Sequence, residues 1–122
     1  MAKLDTQSDG DVTLVFFKDA AILDEKNVEA LGRNLTEISD SGYKMKMLIN
    51  FEKIEYLSSA VLGKLVALHK KMKKDKATLK LCCMKPNILE VFKITKLDKL
   101  FDIHPDQAKA IKSFKSFKLF GR

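Results

Sequence analysis

Histidine, cysteine and long apolar runs are scarce in this chain, and each scarcity closes off a class of protein. Only two histidines occur in 122 residues. His69 falls ten residues after Ser59, about 15 Å along a helix at the usual rise, and His104 stands before Pro105. His69 reads as a partly buried helix residue and His104 as a loop residue. Neither has an evident nucleophile to activate, so no catalytic residue and no enzymatic activity are expected. Gly63-Lys64 lacks the glycine-rich run of a phosphate-binding loop. The two cysteines, Cys82 and Cys83, are sequence neighbours, form no CxxC pair and have no histidine close by. On a strand they would point to opposite faces, which argues for reduced packing residues rather than a bridge, a metal site or a bound cofactor. No stretch approaches the roughly 18 apolar residues of a membrane span. Met1 to Gly10 is polar and acidic, unlike a signal or transit peptide, which points to the cytoplasm. Repeats, low-complexity segments and linkers are also missing, so a single domain over residues 1–122 is expected.

What the sequence does hold is an ordinary globular composition, 46% hydrophobic and 32% charged, with the charge unevenly placed. Residues 1–42 carry 4 basic and 9 acidic side chains and residues 43–122 carry 19 and 7, within a net charge of +7. The densest run is Lys70, Lys71, Lys73, Lys74, Lys76 and Lys80, broken among charges only by Asp75. It reads first as the solvated end of a helix whose lysines suit the negative end of the dipole, and second as a surface for phosphates or an acidic protein. The basic stretches lack a helix-turn-helix, zinc or aromatic RNA-binding signature, so nucleic acid is the lesser alternative.

Periodicity supplies the elements. Asp11 to Lys18 (DVTLVFFK) has the content of a strand, and Leu4 opens an edge strand across the Ser8-Asp9-Gly10 turn. Val28, Leu31, Leu35 and Ile38 recur at helical spacing, with Asp24 placed to accept the first N–H groups and Gly42 where a C-terminal cap would sit. Lys44 to Phe51 puts Met45, Met47, Ile49 and Phe51 on one face and Leu48 on the other, the mark of a central strand covered on both sides. Ser58 to Asp75 is a second helix, Thr78 to Met84 a strand, Pro86 the first turn of a short helix, Phe101 to Ile103 a brief strand, and Pro105 opens the last helix. The order implies an α/β fold with a mixed, mostly parallel sheet of about four to five strands under about four helices. The core would span residues 11–112, with a basic, Phe-rich extension at 113–122. Phe114, Phe117 and Phe120 there would tuck against the sheet, or else lie on a membrane surface or a second subunit, giving a homodimer.

In open sheets of this kind, sites form where strands end and helices begin. The run Ile54-Glu55-Tyr56-Leu57-Ser58-Ser59-Ala60-Val61-Leu62-Gly63 is such a place, with two hydroxyls at a helix start. Ser58 suits an N-cap. The same position suits a phosphate, since free N–H groups and the positive end of the dipole would stabilise it.

The stretch from Leu48 to Lys64 (LINFEKIEYLSSAVLGK) resembles the signature of STAS-domain anti-sigma-factor antagonists, in which an Asp-Ser-Ser/Thr-Gly-Leu-Gly box starts a helix. Ala21-Ile22-Leu23-Asp24 resembles the family's loop ending in Leu-Asp, and Val91 to Phe101 its closing helix-to-strand segment. Together they cover about residues 11–112. The resemblance puts Ser58 at the family's Asp, Ser59 at its phosphorylated Ser (with Ser58 the alternative acceptor), Ala60 at the following Ser or Thr and Val61 at its Gly. Leu62 and Gly63 match the family. It implies a non-enzymatic switch, in which the dephosphorylated domain binds a serine kinase that is also an anti-sigma factor, and phosphorylation ends the interaction. Asp24, Ser58, Ser59, Ala60, Val61, Leu62 and Gly63 would form the partner-binding surface. The alternatives are a STAS interaction module that is not phosphorylated, or a basic nucleic-acid-binding domain. Departures from the family stand at Ser58, Val61 and Ala20, the last replacing a usual Gly, and in the basic net charge.

Overall fold

The computed structural model describes residues 4–22 and 24–120, apart from the side chains of 116–120. Its elements are β1 (Leu4–Asp9), β2 (Val12–Phe17), α1 (Glu25–Ser39), β3 (Lys46–Asn50), α2 (Ser59–Lys74), β4 (Thr78–Cys82), α3 (Pro86–Ile94), a 3-10 turn (Leu97–Lys99), β5 (Asp102–His104) and α4 (Gln107–Phe120). Strand order follows chain order, β1-β2-β3-β4-β5. β1 and β2 form an antiparallel hairpin through Gly10, whose φ of +61° suits glycine, and the other pairings are parallel. This is the expected mixed, mostly parallel sheet under four helices.

Alternation along the strands divides the core into two layers. Val15, Phe17, Met47, Ile49 and Leu81 face one way, onto Leu31 and Leu35 of α1, Leu65 and Met72 of α2 and Phe92 of α3. Val12, Leu14, Leu48 and Cys82 face the other way, onto Ala110, Ile111 and Phe114 of α4. β3 is therefore covered on both sides, as its unbroken apolar run requires. Phe114 is a layer-forming residue because it lies on the sheet-facing stripe of α4. Phe117 and Phe120, grouped with it in the sequence reading, have side chains outside the described residues.

Several boundaries differ from the sequence reading. Gly42 does not cap α1. The helix ends at Ser39, where the N–H groups of Asp40 and Ser41 donate to the carbonyls of Thr36 and Ile38, and the Ser39 and Ser41 hydroxyls donate to the same pair, so no glycine is needed. α4 begins two residues beyond Pro105, with the Asp106 carboxylate accepting the Lys109 N–H at 2.8 Å. His104 lies in β5, not in a loop.

His69 is half-buried on α2, its ring set edge-on to Phe101 at 5.3 Å. Burial and, secondarily, the Lys73 charge hold its pKa below the usual 6.5. Below that value the unfolded chain binds the proton more readily than the folded one, so stability is fully present above pH 6.5 and declines as pH falls through the folded value. Urea midpoints measured across this range should show the decline, and His69→Gln should flatten that part of the profile.

Candidate functional site

All four helices begin at the carboxyl edge of the sheet, because each follows a strand, and the candidate residues gather there. α2 opens at Ser59 with Ser58 as its N-cap, whose Oγ accepts the Val61 N–H at 3.2 Å while its carbonyl accepts the Leu62 N–H at 3.0 Å. Ser58 is thus committed to the helix. Ser59 is exposed, and the first turn of α2 contains no acidic residue. A group attached to Ser59 Oγ would meet solvent and the positive end of the helix dipole, with no like charge in that turn. Replacing Ser58 by Ala should cost about 1 kcal/mol through the lost cap, read as a lower urea midpoint, whereas Ser59→Ala should leave stability nearly unchanged.

The connector leading to this turn is held from three directions. Asn50, buried at the end of β3, accepts the Glu52 N–H at 2.8 Å and donates to Gln107 of α4 at 3.0 Å. The Ala20 carbonyl, from the loop before α1, accepts the N–H groups of Glu55 at 2.9 Å and Tyr56 at 3.4 Å. From the start of α3, Lys85 Nζ donates to the Glu52 carbonyl, and Asn87 Nδ2 donates to the Glu55 carbonyl at 3.2 Å. Ile54 and Leu57 anchor the segment in the core. The turn is therefore a braced platform.

Not every expected contact residue reaches the surface. Val61 and Leu62 are 2% and 8% exposed and pack inward, so their side chains belong to the core and are not available to a partner. Ala60 and Gly63 are exposed beside Ser59, and a Cβ at Gly63 would meet nothing within 4 Å. Tyr56, 55% exposed, adds a large apolar surface that the candidate set omitted. Asp24 stands at the N-cap of α1, but its carboxylate accepts from Asn27 Nδ2 at 2.6 Å rather than from the free N–H groups of the helix. α1 and α2 run side by side, joined by Lys64 to Glu29 at 3.0 Å, with the Lys64 stem lying against Gly32. Each bridge residue lies five positions into the sequence beyond Asp24 or Ser59, which makes the two helix starts neighbours. Leu23, part of the same loop motif, lies outside the described residues.

A second polar cluster lies under α4. His104 Nε2 is 2.9 Å from Asp102 Oδ1 and 3.3 Å from Ser113 Oγ, and Lys80 Nζ reaches Asp102 at 3.0 Å and Ser113 at 2.8 Å. From sequence His104 has no evident nucleophile, whereas in the fold the Ser113 hydroxyl stands beside it. Asp102 and Ser113 meet the same ring nitrogen, and the Ser113 hydroxyl donates to the Ala110 carbonyl at 2.6 Å while accepting from Lys80. This is not the relay that activates a serine, which uses both ring nitrogens. It ties β4 and β5 to α4. Among the described residues, no group of three or more His, Cys, Asp or Glu could hold a metal, and no helix is long and apolar enough to cross a membrane.

Comparison with known proteins agrees with this architecture. The STAS domain profile matches residues 3–110. A Bordetella bronchiseptica protein named as an anti-sigma factor antagonist, BtrV, is 27% identical over 82 residues, covering 67% of this chain and 70% of that protein. The structure of an anti-sigma-factor antagonist domain protein from Planctomyces limnophilus superposes with a TM-score of 0.81 at 23% identity, over 90% of this chain and 96% of that one. The phosphorylated form of the Bacillus cell fate determinant SpoIIAA superposes at 0.65 and 15% identity, over 92% and 99%. At these identities the structural likeness speaks for the fold.

Proposed function

Because this chain belongs to the STAS domain family, we propose that it is a cytoplasmic, non-enzymatic anti-sigma-factor antagonist. In this reading it binds an anti-sigma factor that is also a serine kinase, and phosphorylation of Ser59 ends the interaction. The observation that carries the proposal is the division of labour at the turn. Ser58 Oγ is occupied by the cap, and Ser59 stands free and exposed one residue later on a braced platform.

A phosphate on Ser59 adds roughly −1.5 to −2 charges at neutral pH. The helix start tolerates that charge, so the domain keeps its fold. A partner seated over Tyr56, Ser59, Ala60 and Gly63 would have to strip water from the new dianion, at a cost of several kcal/mol. The interaction is lost without any rearrangement of the sheet. The free sigma factor then returns to its inhibitor, and transcription responds.

The kinase captured from the native cell with the unmodified domain, supplied with ATP, should place a single phosphate on Ser59 and release the domain as it does so. Phosphate mapped to another residue, or a labelled domain that stays bound, overturns the switch. In the latter case the turn is a docking module without phosphate control.

A further inference from the structure

Strand alternation would send Cys82 and Cys83 to opposite faces, but the structure turns them together. β4 ends at Cys82, and Cys83 takes a left-handed backbone conformation with φ of +66°. That region costs a non-glycine residue about 1–2 kcal/mol. The turn brings Cys83 Sγ to 3.4 Å from Cys82 Sγ, the Cys83 thiol donating to its neighbour. Both cysteines are free, Cys82 buried against the α4 layer and Cys83 partly open. Lys44, Lys76 and Lys96 take the same conformation at the ends of elements, but at Cys83 it sets two sulfurs side by side.

We propose that Cys82 and Cys83 form a reversible oxidation site, closing to a disulfide between adjacent residues in response to hydrogen peroxide and thereby loosening the connector that carries Ser59. Cys83, the more open thiol, attacks as its thiolate. Its sulfur bonds to one peroxide oxygen, the O–O bond breaks, and the departing hydroxide takes up a proton to leave as water, giving a sulfenic acid on Cys83. The Cys82 sulfur then displaces the hydroxyl from Cys83. The S–S bond forms, the S–O bond breaks, and the hydroxide takes the Cys82 proton as a second water. Both thiols are oxidised by two electrons in total and the peroxide is reduced by two. Burial, more than the neighbouring thiol, raises the pKa of Cys82 and keeps it protonated until that second step.

The ring is strained by covalent geometry. Consecutive Cα atoms lie about 3.8 Å apart, short of the roughly 4.4 Å minimum of ordinary disulfides. Such a bond is easily reduced, which suits a signal rather than a staple. Closing it draws the sulfurs from 3.4 Å to about 2.05 Å and must rotate the peptide between the two residues. That peptide's carbonyl, on Cys82, accepts the Phe51 N–H at 2.9 Å, and the Cys83 N–H donates to the His104 carbonyl at 3.3 Å. Lys85 and Asn87, just beyond, hold the carbonyls of Glu52 and Glu55. The oxidised ring would pull on all of these supports at once. The chemistry depends only on the sulfurs, while its effect on a partner rests on the Ser59 reading.

The full chain, treated with hydrogen peroxide and then denatured, should lose both of its titratable thiols. The tryptic peptide Leu81 to Lys93, uncut at the Lys85-Pro86 bond, should lose two hydrogens, apart from any oxygen added at Met84, and a dithiol reductant should reverse the change. Amide exchange at Phe51 should rise about tenfold in the oxidised protein, and Cys83→Ser should show neither the lost hydrogens nor the faster exchange. Oxygen additions on sulfur as the main cysteine product, a disulfide-linked dimer, two surviving thiols or an unchanged Phe51 amide would each overturn the proposal. None of these readouts involves the kinase, so failure here is separate from failure of the Ser59 switch.

Discussion

Ser59→Asp is expected to weaken binding of the anti-sigma-factor kinase by about 100-fold or more, equivalent to about 2.7 kcal/mol, while Ser59→Ala binds like the unmodified domain. Titration calorimetry against the captured kinase reads both. The contrast isolates charge, because the exposed Ser59 hydroxyl is not the group that caps α2. Thermal unfolding supplies the control. A carboxylate at the first position of a helix is favourable to the dipole, so Ser59→Asp should melt no lower than the parent. A variant that both melts and binds like the parent removes the charge-based mechanism.

The second large effect concerns stability. Phe51→Ala should cost about 3–5 kcal/mol and lower the urea midpoint accordingly. Phe51 is fully buried just beyond β3, with its ring 5.2 Å from Phe17 and 6.1 Å from Phe92. Phe92 continues to Phe101 at 5.7 Å, and Phe101 to His69. Removing the ring opens a cavity in this row and withdraws the support from which the connector starts. Phe51→Leu should restore most of the loss, because it refills volume without the edge-to-face contacts.

The elements were legible because two periods dominate this sequence. Met45, Met47, Ile49 and Phe51 repeat at two, and Val28, Leu31, Leu35 and Ile38 repeat at helical spacing, and burial enforces both. The ends of the elements were less legible. Lys44, Lys76, Cys83 and Lys96 all adopt positive φ, a conformation their side chains do not advertise. Sequence reasoning looked to Gly42 instead, and local hydroxyls had already satisfied that helix end. At the site, Ser58 and Ser59 could be found because a helix start has a recognisable chemistry. The braces could not. Ala20 acts through its carbonyl, and Lys85 and Asn87 reach carbonyls of Glu52 and Glu55, a class of acceptor every residue carries. Asn50 left one trace, a polar residue closing the apolar run of the central strand.

The agreement between strand order and chain order bears on how the molecule is made. Each new strand of the parallel set docks on the one synthesised just before it, so the sheet can grow as the chain leaves the ribosome, without waiting for a distant partner. The helices of the first layer arrive in step with their strands. The opposite face cannot be closed so early, since Val12, Leu14, Leu48 and Cys82 are covered by Ala110, Ile111 and Phe114. Until α4 emerges, the nascent domain presents that apolar face to the chaperones around it, and synthesis stalled before residue 107 would leave a half-covered sheet prone to aggregation.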